Sequence, residues 1–347
     1  MKHFLVRIGS KQQTFRTNPA LPSQRSALAA VSLLVAGVST DAESPPRVEM
    51  CAAAAVLLVL CGTGLAQAQA QARTQAAAAA AATAGCLVVR DAVFAGQDIK
   101  FEKWGVNAVR ARAVPAGSEF SDSPDVVSAL VPPTSPVHDE GGPCPLVELG
   151  AAGTGQAAPP SLTNGNLKAS VGPGGKISFS RISDGAKLLT EKSTRALAPT
   201  TTVPHVAGFL ALDLAFEAVE GERIYGLGQH AAFSWDPLYP AKLDQKGVPS
   251  MLLEPHDGDI TIPVAHSSLG YAFLSNLPST GSVEYNATGS FWRHDAVLQM
   301  DMWIATTSDS APHAVSPWQQ LQSAYADATG HAPGKHPSVP PGIFLVI

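Results

Sequence analysis

Residues 221–230 read GERIYGLGQH, and the stretches LDQKG at residues 243–247 and SSLGYAFLSN at residues 267–276 follow it along the chain. Around them, apolar and polar residues alternate, which is typical of β-strands that bury one face. The clearest runs, at residues 209–219 and 298–304, place an apolar side chain at every second position. Half-buried strands that follow one another with polar turns between them predict an antiparallel β-sandwich.

The strand pattern begins well before these stretches. Residues 86–96 and 101–115 predict strands around a turn, and residues 145–149 predict a short strand within a Pro-, Gly- and Ser-rich insertion. Residues 164–182 hold two alternating runs joined by Gly-Pro-Gly-Gly, which is a hairpin signal. These segments are therefore expected to belong to the same sandwich.

One helix is predicted near the C-terminus. Ser316 is a suitable N-cap, Pro317 takes the first helical position, and Gln319 completes a capping box. Gly330 is placed to end the helix. One face of this helix carries Trp318, Leu321 and Tyr325.

The quoted stretches resemble the N-terminal β-sandwich of glycoside hydrolase family 31, the α-glucosidases and α-xylosidases. QMDMW at residues 299–303 and YADATGHAP at residues 325–333 complete the order in which that family carries them. The resemblance implies a galactose mutarotase-like supersandwich for residues 86–333, and an α-glucoside or α-xyloside as the carbohydrate ligand. In the family, the helix leads into a (β/α)8 barrel that holds both catalytic aspartates, and such a barrel needs roughly 200 residues or more.

Residues 334–347 depart from the family pattern at the point where the barrel would begin. We therefore expect a fragment of an α-glycosidase that binds carbohydrate but is inactive without its barrel, and we assign no catalytic residue. The alternative is a stand-alone carbohydrate-binding module of mutarotase-like fold. Mutarotase activity itself would need a histidine and a carboxylate that converge on a sugar, and the available histidines are His205, His230 and His266.

In the family, a loop after the LDQKG-like segment lines the sugar pocket, so the resemblance points to residues 243–259. The polar side chains there that can hydrogen-bond sugar hydroxyls are Asp244, Gln245, Lys246, His256 and Asp257. An ordinary solvated loop remains the alternative. The aromatic side chains that could stack on sugar rings are Trp235, Tyr239, Phe291 and Trp292, although large aromatics in a sandwich more often pack in the core.

Two motifs match other functions only superficially. Residues 226–231 fit the dinucleotide pattern GxGxxA, but Pro237 and Pro240 stand where the following helix would have to begin. Asp301, in the triplet DMW, superficially resembles the acid-containing motif of a glycosidase barrel. Its neighbours alternate as a strand, however, so we expect a structural or solvent-facing role for it.

Composition argues against several kinds of partner. The net charge is only −5, charged residues make up 15% of the chain, and no stripe of Lys and Arg is available to neutralise phosphates, so nucleic acid is not expected. The chain has no CxxC or Cys/His pattern with zinc spacing. We expect no metal ion and no cofactor.

Residues 1–85 predict a targeting segment and a linker. Met50 begins an apolar core followed by Ala-Gln-Ala, which matches a signal peptide at residues 50–70 and is too short to span a bilayer. The Ala/Gln tract at residues 67–84 is expected to be a disordered or transiently helical linker. Secretion or an endomembrane lumen is therefore predicted, while the basic segment after Met1 leaves an organellar presequence as the alternative.

The cysteines and one sequon bear on the same question. Cys51 and Cys61 flank the apolar core, which leaves Cys86 and Cys144 as either one disulfide or two unrelated thiols. The sequence Asn286-Ala287-Thr288 is a glycosylation sequon and agrees with secretion.

Overall fold

The computed structural model describes residues 4–8, 11–15, 84–91, 96–121, 128–131, 144–149, 159–200, 208–229, 244–248, 250–254, 260–308 and 315–331. The predicted signal peptide and the tail at residues 334–347 lie outside these ranges. The chain divides into two compact units, residues 1–65 and residues 66–347. In the first unit, β1 (Phe4–Ile8) and β2 (Lys11–Phe15) pair as an antiparallel hairpin, which the sequence pattern had not predicted.

The second unit is built from strands and one described helix. In chain order these are β3 (Cys86–Asp91), β4 (Gln97–Lys103), β5 (Ala108–Pro115), β6 (Leu146–Glu148), β7 (Ser161–Asn164), β8 (Leu167–Val171), β9 (Ile177–Arg181), β10 (Lys187–Thr190), β11 (Ala196–Pro199), β12 (Leu210–Glu217), β13 (Ile224–Gln229), β14 (Met251–Leu252), β15 (Ile260–Ser267), β16 (Tyr271–Ser275), β17 (Gly281–Asn286), β18 (Gly289–Val297), β19 (Met300–Thr306) and α1 (Pro317–Thr329).

The described residues of this unit form three sheets. The eight-stranded sheet has the order β13-β15-β16-β19-β5-β4-β3-β6, the five-stranded sheet β11-β12-β18-β17-β14, and the four-stranded sheet β10-β9-β8-β7. Neighbouring strands are antiparallel except for β3 and β6, which are parallel. The mainly antiparallel β-sandwich predicted from the alternation is therefore confirmed.

The inner face of the eight-stranded sheet packs against both smaller sheets. Phe101 of β4 meets Phe179 of β9 edge-on, with ring centroids 6.3 Å apart. Phe273 of β16 lies 5.8 Å from Phe216 of β12 and 4.9 Å from Trp292 of β18. All five rings are buried. Because each fully buried side chain of this kind contributes roughly 1.5–3 kcal/mol, these contacts hold the sheets together.

The outer face of the eight-stranded sheet is also buried at its centre, where α1 and residues 128–131 cover it. Trp303 of β19 is completely buried on this side, and its Nε1 donates a hydrogen bond to the carbonyl oxygen of Trp104 at 3.1 Å. Leu321 of α1 belongs to the same apolar cluster. The alternation at residues 298–304 predicted one buried face, whereas β19 is buried on both.

Asp301 lies on this covered face and is only 2% exposed, so the solvent-facing alternative is wrong. Its two carboxylate oxygens accept hydrogen bonds from Nε and Nη2 of Arg110, at 3.0 Å and 2.6 Å. Nδ2 of Asn276 donates a further hydrogen bond at 2.9 Å, and Oδ1 of Asn276 accepts one from the backbone of Ala129 at 2.9 Å. Asp301 thus has a structural role, since it connects β5 and β19 to the covering segment.

Both local signals read from the sequence are confirmed. Ser316 Oγ accepts a hydrogen bond from the backbone of Gln319, and Gln319 Oε1 accepts one from the backbone of Ser316, which together make the capping box. The Gly-Pro-Gly-Gly run forms a 3₁₀ turn at Pro173–Gly175 between β8 and β9. Among the described residues, no helix is long and apolar enough to cross a membrane.

Cys86 and Cys144 form a disulfide, with their Cα atoms 5.2 Å apart and a sequence separation of 58. The bond fixes the first residue of β3 next to the segment that leads into β6. Backbone hydrogen bonds from Val88 to Pro145 and from Leu149 to Arg90 continue this parallel pairing. The alternative of two unrelated thiols is therefore wrong.

Candidate functional site

The two glycines of the GLG triplet in GERIYGLGQH, Gly226 and Gly228, lie inside β13 and bring its backbone against β15. Gly226 has a φ of 112° and Gly228 a φ of 95°. A Cβ on Gly226 would lie 2.4 Å from the carbonyl oxygen of Val264, and one on Gly228 would lie 2.0 Å from that of Ile260. Glycine is therefore required by both conformation and space. The antiparallel pairing of β13 with β15 is not the strand-to-helix turn of a dinucleotide site.

The LDQKG segment is held against the start of β13. Oδ1 of Asp244 accepts hydrogen bonds from the backbone N–H groups of Ile224 at 3.0 Å and Lys246 at 3.1 Å. The backbone N–H of Gln245 donates to the carbonyl oxygen of Ile224 at 2.7 Å. The structure thus brings together three of the predicted binding residues, Asp244, Gln245 and Lys246, and all three are half-buried. The remaining predicted residues, His256 and Asp257, lie outside the described residues.

Lys246 reaches a buried carboxylate. Its Nζ donates a hydrogen bond to the carbonyl oxygen of Val219 at 2.7 Å and lies 3.6 Å from Oε2 of Glu222. Oε1 of Glu222 accepts hydrogen bonds from Ser267 Oγ at 2.6 Å and from the Tyr271 hydroxyl at 2.8 Å. Burial and the nearby Glu222 charge hold the pKa of Tyr271 well above its usual range, so Tyr271 remains a hydrogen-bond donor. The hydrogen bonds of Lys246 and Glu222 therefore hold the LDQKG segment in place.

A cavity of about 340 Å³ opens at the other end of the β17–β18 hairpin from the LDQKG segment, whose Gly247 hydrogen-bonds to Tyr285 of β17. Its volume falls within the roughly 300–1,000 Å³ that is usual for small-molecule sites. It is formed where the end of β14, the strand β15, the β16–β17 connection and β18 meet, and its walls are Leu253, Glu254, Thr261, Pro263, Leu277, Pro278, Ser279, Thr280 and His294.

The hydroxyl groups of the cavity are pre-oriented. Thr261 Oγ1 donates a hydrogen bond to the carbonyl oxygen of Glu254 at 3.1 Å, and Thr280 Oγ1 donates one to Asp295 Oδ2 at 2.8 Å. Because each hydroxyl uses its hydrogen within the protein, its oxygen lone pairs are left to accept hydrogen bonds. The cavity is thereby suited to a ligand that carries hydroxyl donors.

His294 forms the inner wall of the cavity and is 1% exposed. Its Nε2 lies 2.9 Å from Ser275 Oγ, and its ring stacks beside Trp292. Burial lowers the pKa of His294 to about 4, against the smaller opposing effects of Asp295 and the Ser279 backbone, so the imidazole is neutral at pH 7.

The depressed pKa of His294 predicts that the sandwich loses stability in mild acid. Its pKa is about 4 in the folded protein against 6.5 as the ordinary value, so below pH 6.5 the unfolded chain binds a proton that the folded protein does not. The free energy of unfolding should be unaffected above pH 6.5 and fall by roughly 3 kcal/mol as the pH decreases to 4. Urea unfolding followed by tryptophan fluorescence across this range measures the slope.

Two variants separate His294 from other titrating groups. His294→Gln should remove the roughly 3 kcal/mol component from the slope. His331→Gln, which changes an exposed histidine, should keep it. An equal slope in the wild-type protein and in His294→Gln would contradict the prediction.

His266 lies on the opposite face of β15 from the cavity residues Thr261 and Pro263. It packs under α1, with its ring centroid 6.4 Å from that of Trp318 and its Nε2 3.3 Å from Nε2 of Gln322. Burial lowers the pKa of His266. Trp318 itself is 42% exposed, so the aromatic face of the helix is only partly covered. The other histidines considered for mutarotase activity, His205 and His230, lie outside the described residues.

The aromatic residues considered for sugar stacking differ in their surroundings. Trp292 is 2% exposed and packs in the core, so it is not available to a ligand. Phe291 is half-buried on the outward face of the five-stranded sheet, one residue away along β18. Trp235 and Tyr239 lie outside the described residues. Over the same described ranges, no group of three or more His, Cys, Asp or Glu side chains could hold a metal ion.

Comparison with known proteins gives two similar sequences, while no family model matches the chain. An uncharacterised family 31 glucosidase from Pseudescherichia vulneris is 29% identical over 259 residues, which cover 69% of this chain and 42% of that protein. An α-xylosidase from Saccharolobus solfataricus is 34% identical over 119 residues, which cover 34% of this chain and 15% of that protein. The chain thus spans less than half the length of these relatives.

Solved structures share the fold. A xylosidase from Aspergillus niger matches with a TM-score of 0.55 at 23% identity, over 72% of this chain and 33% of that one. A GH31 α-xylosidase from a soil metagenome, complexed with xylose, matches with a TM-score of 0.52 at 25% identity, over 71% of this chain and 34% of that one. In each case the match takes in most of this chain and about a third of the larger enzyme.

Proposed function

We propose that this chain, whose sequence and structural neighbours are family 31 glucosidases and α-xylosidases, is the N-terminal carbohydrate-binding sandwich of an α-glycosidase in that family. The observation that carries the proposal is the cavity of about 340 Å³ in the described part of the sandwich. The partner of the sandwich is a (β/α)8 catalytic barrel, and the ligand is an α-glucoside or an α-xyloside.

The chemistry of the cavity supports a sugar as its ligand. Thr261 and Thr280 present oxygen lone pairs to hydroxyl donors, while Leu277 and Pro278 offer apolar surface to the C–H face of a pyranose ring. His294 adds a neutral imidazole to the wall of the cavity. The polar residues of the LDQKG loop, Asp244, Gln245, Lys246, His256 and Asp257, remain predicted sugar contacts in this proposal.

We also propose that the chain does not hydrolyse glycosides on its own. Retaining hydrolysis needs two carboxylates roughly 5–5.5 Å apart across the glycosidic bond. Three of the buried carboxylates of the sandwich are held by other side chains: Asp301 by Arg110, Glu222 by Tyr271, and Glu191 by Arg195. These pairings support a structural use of the acids, with the catalytic pair belonging to the barrel.

The test combines binding and hydrolysis on the purified chain. Methyl α-xyloside or methyl α-glucoside should bind weakly, with a Kd of about 1 mM by calorimetry. Thr280→Trp, which fills the cavity from its exposed rim, should weaken binding at least about tenfold, a loss of roughly 1.4 kcal/mol. Thr163→Trp, the same change at an exposed position of β7, should leave binding unchanged. Hydrolysis of the nitrophenyl α-xyloside or α-glucoside above background would overturn the claim of inactivity. Equal binding by the two variants would show that the sugar does not bind in this cavity.

A stand-alone carbohydrate-binding module is the second candidate, favoured by the same cavity. Sequencing the full-length transcript past the codon for Ile347 separates the two. A reading frame that continues into a barrel with paired aspartates supports the accessory domain of a glycosidase. A stop codon there supports the module.

We propose a secretory location for the chain, either outside the cell or in an endomembrane lumen. The Cys86–Cys144 disulfide supports it, because such bonds persist in oxidising compartments. Fractionation of cells that express the chain with its own N-terminus tests it, and recovery in an organelle would favour the alternative presequence.

A further inference from the structure

The hairpin between β17 and β18 places a sequon at an accessible turn. Ala287 and Thr288 are exposed at its tip, and Asn286 is half-buried at the end of β17. Oδ1 of Asn286 accepts hydrogen bonds from the backbone N–H and from Oγ1 of Thr288, both at 2.8 Å. Its Nδ2 donates one hydrogen bond to Glu284 Oε1 at 2.8 Å.

A phenylalanine ring lies directly beside this asparagine. In the register of the hairpin, Asn286 pairs with Gly289, and Glu284 pairs with Phe291. A Cβ placed on Gly289 would lie 3.4 Å from Cζ of Phe291, so the ring extends over the glycine that faces Asn286. The ring is half-buried and points away from the core. Lys192 Nζ lies over one face of the ring, 5.6 Å from its centroid, so the apolar side of a sugar would stack on the other face.

We propose that Asn286 carries an N-linked glycan, and that Phe291 is the ring on which its first sugar packs. This inference goes beyond the glycosidase proposal and does not rest on it; it rests on the proposed secretory location. The Cys86–Cys144 disulfide supports it independently, because oxidising compartments of the secretory route are also where asparagine is glycosylated.

The transfer uses a lipid-pyrophosphate-linked oligosaccharide as donor. Nδ2 of Asn286 forms a bond to C1 of the sugar and loses one proton, while the bond from C1 to the pyrophosphate oxygen breaks and its electron pair leaves with the lipid pyrophosphate. Nothing is oxidised or reduced. The product amide keeps one N–H, which is enough for the single hydrogen bond to Glu284, and Oδ1 keeps both bonds to Thr288. The turn can therefore hold its geometry after modification.

The glycan would lie at the far end of the hairpin from the cavity. His294, the inner wall of the cavity, pairs with Gly281 at one end, and Asn286 pairs with Gly289 at the other. The five residue steps from Gly281 to Asn286 correspond to roughly 17 Å at about 3.4 Å per residue. Modification and ligand binding are thus compatible.

The full chain, expressed behind a heterologous cleavable signal sequence in a eukaryotic secretory host, tests the modification. Peptide mass spectrometry on the protein recovered from the lumen or medium should find a glycan on Asn286, removed by peptide N-glycosidase. Asn286→Gln and Thr288→Ala should both abolish it, and Thr288→Ser should retain it. An unmodified Asn286 in the wild-type protein would overturn the proposal.

A double-mutant cycle tests the role of Phe291. In the wild-type background, Asn286→Gln should lower the melting temperature by roughly 2–4 °C through loss of the sugar contact. In a Phe291→Ala background the same change should have little effect, while Phe291→Tyr, which keeps the ring, should restore the full shift. An equal shift with Phe291 and with Phe291→Ala would show that the ring does not hold the sugar.

Discussion

Replacing Asp301 by asparagine is expected to lower the free energy of unfolding by about 3–5 kcal/mol, because the change removes one partner of a buried ion pair. The side chains of Arg110 and Asp301 are 7% and 2% exposed, and their closest atoms are 2.6 Å apart. Loss of the carboxylate leaves the guanidinium charge in a site that water does not reach. Urea denaturation, followed by circular dichroism at pH 7, measures the change.

The matched control is Asp213→Asn. Asp213 and Arg293 make the same kind of contact at 2.8 Å, but their side chains are 55% and 68% exposed. Solvent screens an exposed pair, so this variant should cost less than about 1 kcal/mol. Similar losses in the two variants would show that burial does not set the strength of the Arg110–Asp301 pair.

Loss of the Cys86–Cys144 disulfide is expected to lower the free energy of unfolding by about 4 kcal/mol, the chain-entropy value for a loop of this length. The loop spans 58 residues and closes the edge strand β6 onto β3. The double variant Cys86→Ser/Cys144→Ser, compared with the oxidised wild-type protein in urea, measures the loss. Val147 of β6 is buried in the core. If the double variant still folds, the loss of the bond that holds β6 against β3 should increase the hydrogen exchange of β6.

Cys51→Ser/Cys61→Ser provides the control, because these cysteines lie within residues 50–70, the segment predicted to be a signal peptide. This variant should unfold at the same urea concentration as the wild-type protein. If Cys86→Ser/Cys144→Ser also unfolds there, the disulfide contributes nothing to stability and the prediction is wrong.

Much of the sandwich could be predicted from local sequence, because the alternation of apolar and polar residues along a strand indicates which of its faces is buried. Leu212, Leu214 and Phe216 of β12 are buried as their spacing predicts. In β19 the pattern was incomplete, since Asp301 and Trp303 occupy the positions that alternation assigns to solvent. They are buried because α1 and residues 128–131 cover the outer face, and no local pattern reports a contact between segments so far apart in sequence.

The candidate site was harder to predict for the same reason. Asp244 and Lys246 were identified through the family resemblance, and the structure brings them together at the start of β13. The cavity was missed, since its walls come from four separate segments. His294 had one usable signal: it stands two residues after Trp292 on a strand, so both share the buried face. A histidine on such a face needs a partner or a neutral form, which marks it for attention.

The clearance at Gly226 and Gly228 bears on how proteins of this kind are classified. GLGQ is a recognisable sequence motif, but its structural role is to let two backbones lie close together: a Cβ on Gly228 would lie 2.0 Å from a carbonyl oxygen. A sequence match to this motif therefore indicates a close contact between two strands of the sandwich and does not indicate catalytic activity. Assignment of hydrolytic activity should depend on finding the two catalytic acids, and the presence of this signature alone should be taken to report the sandwich.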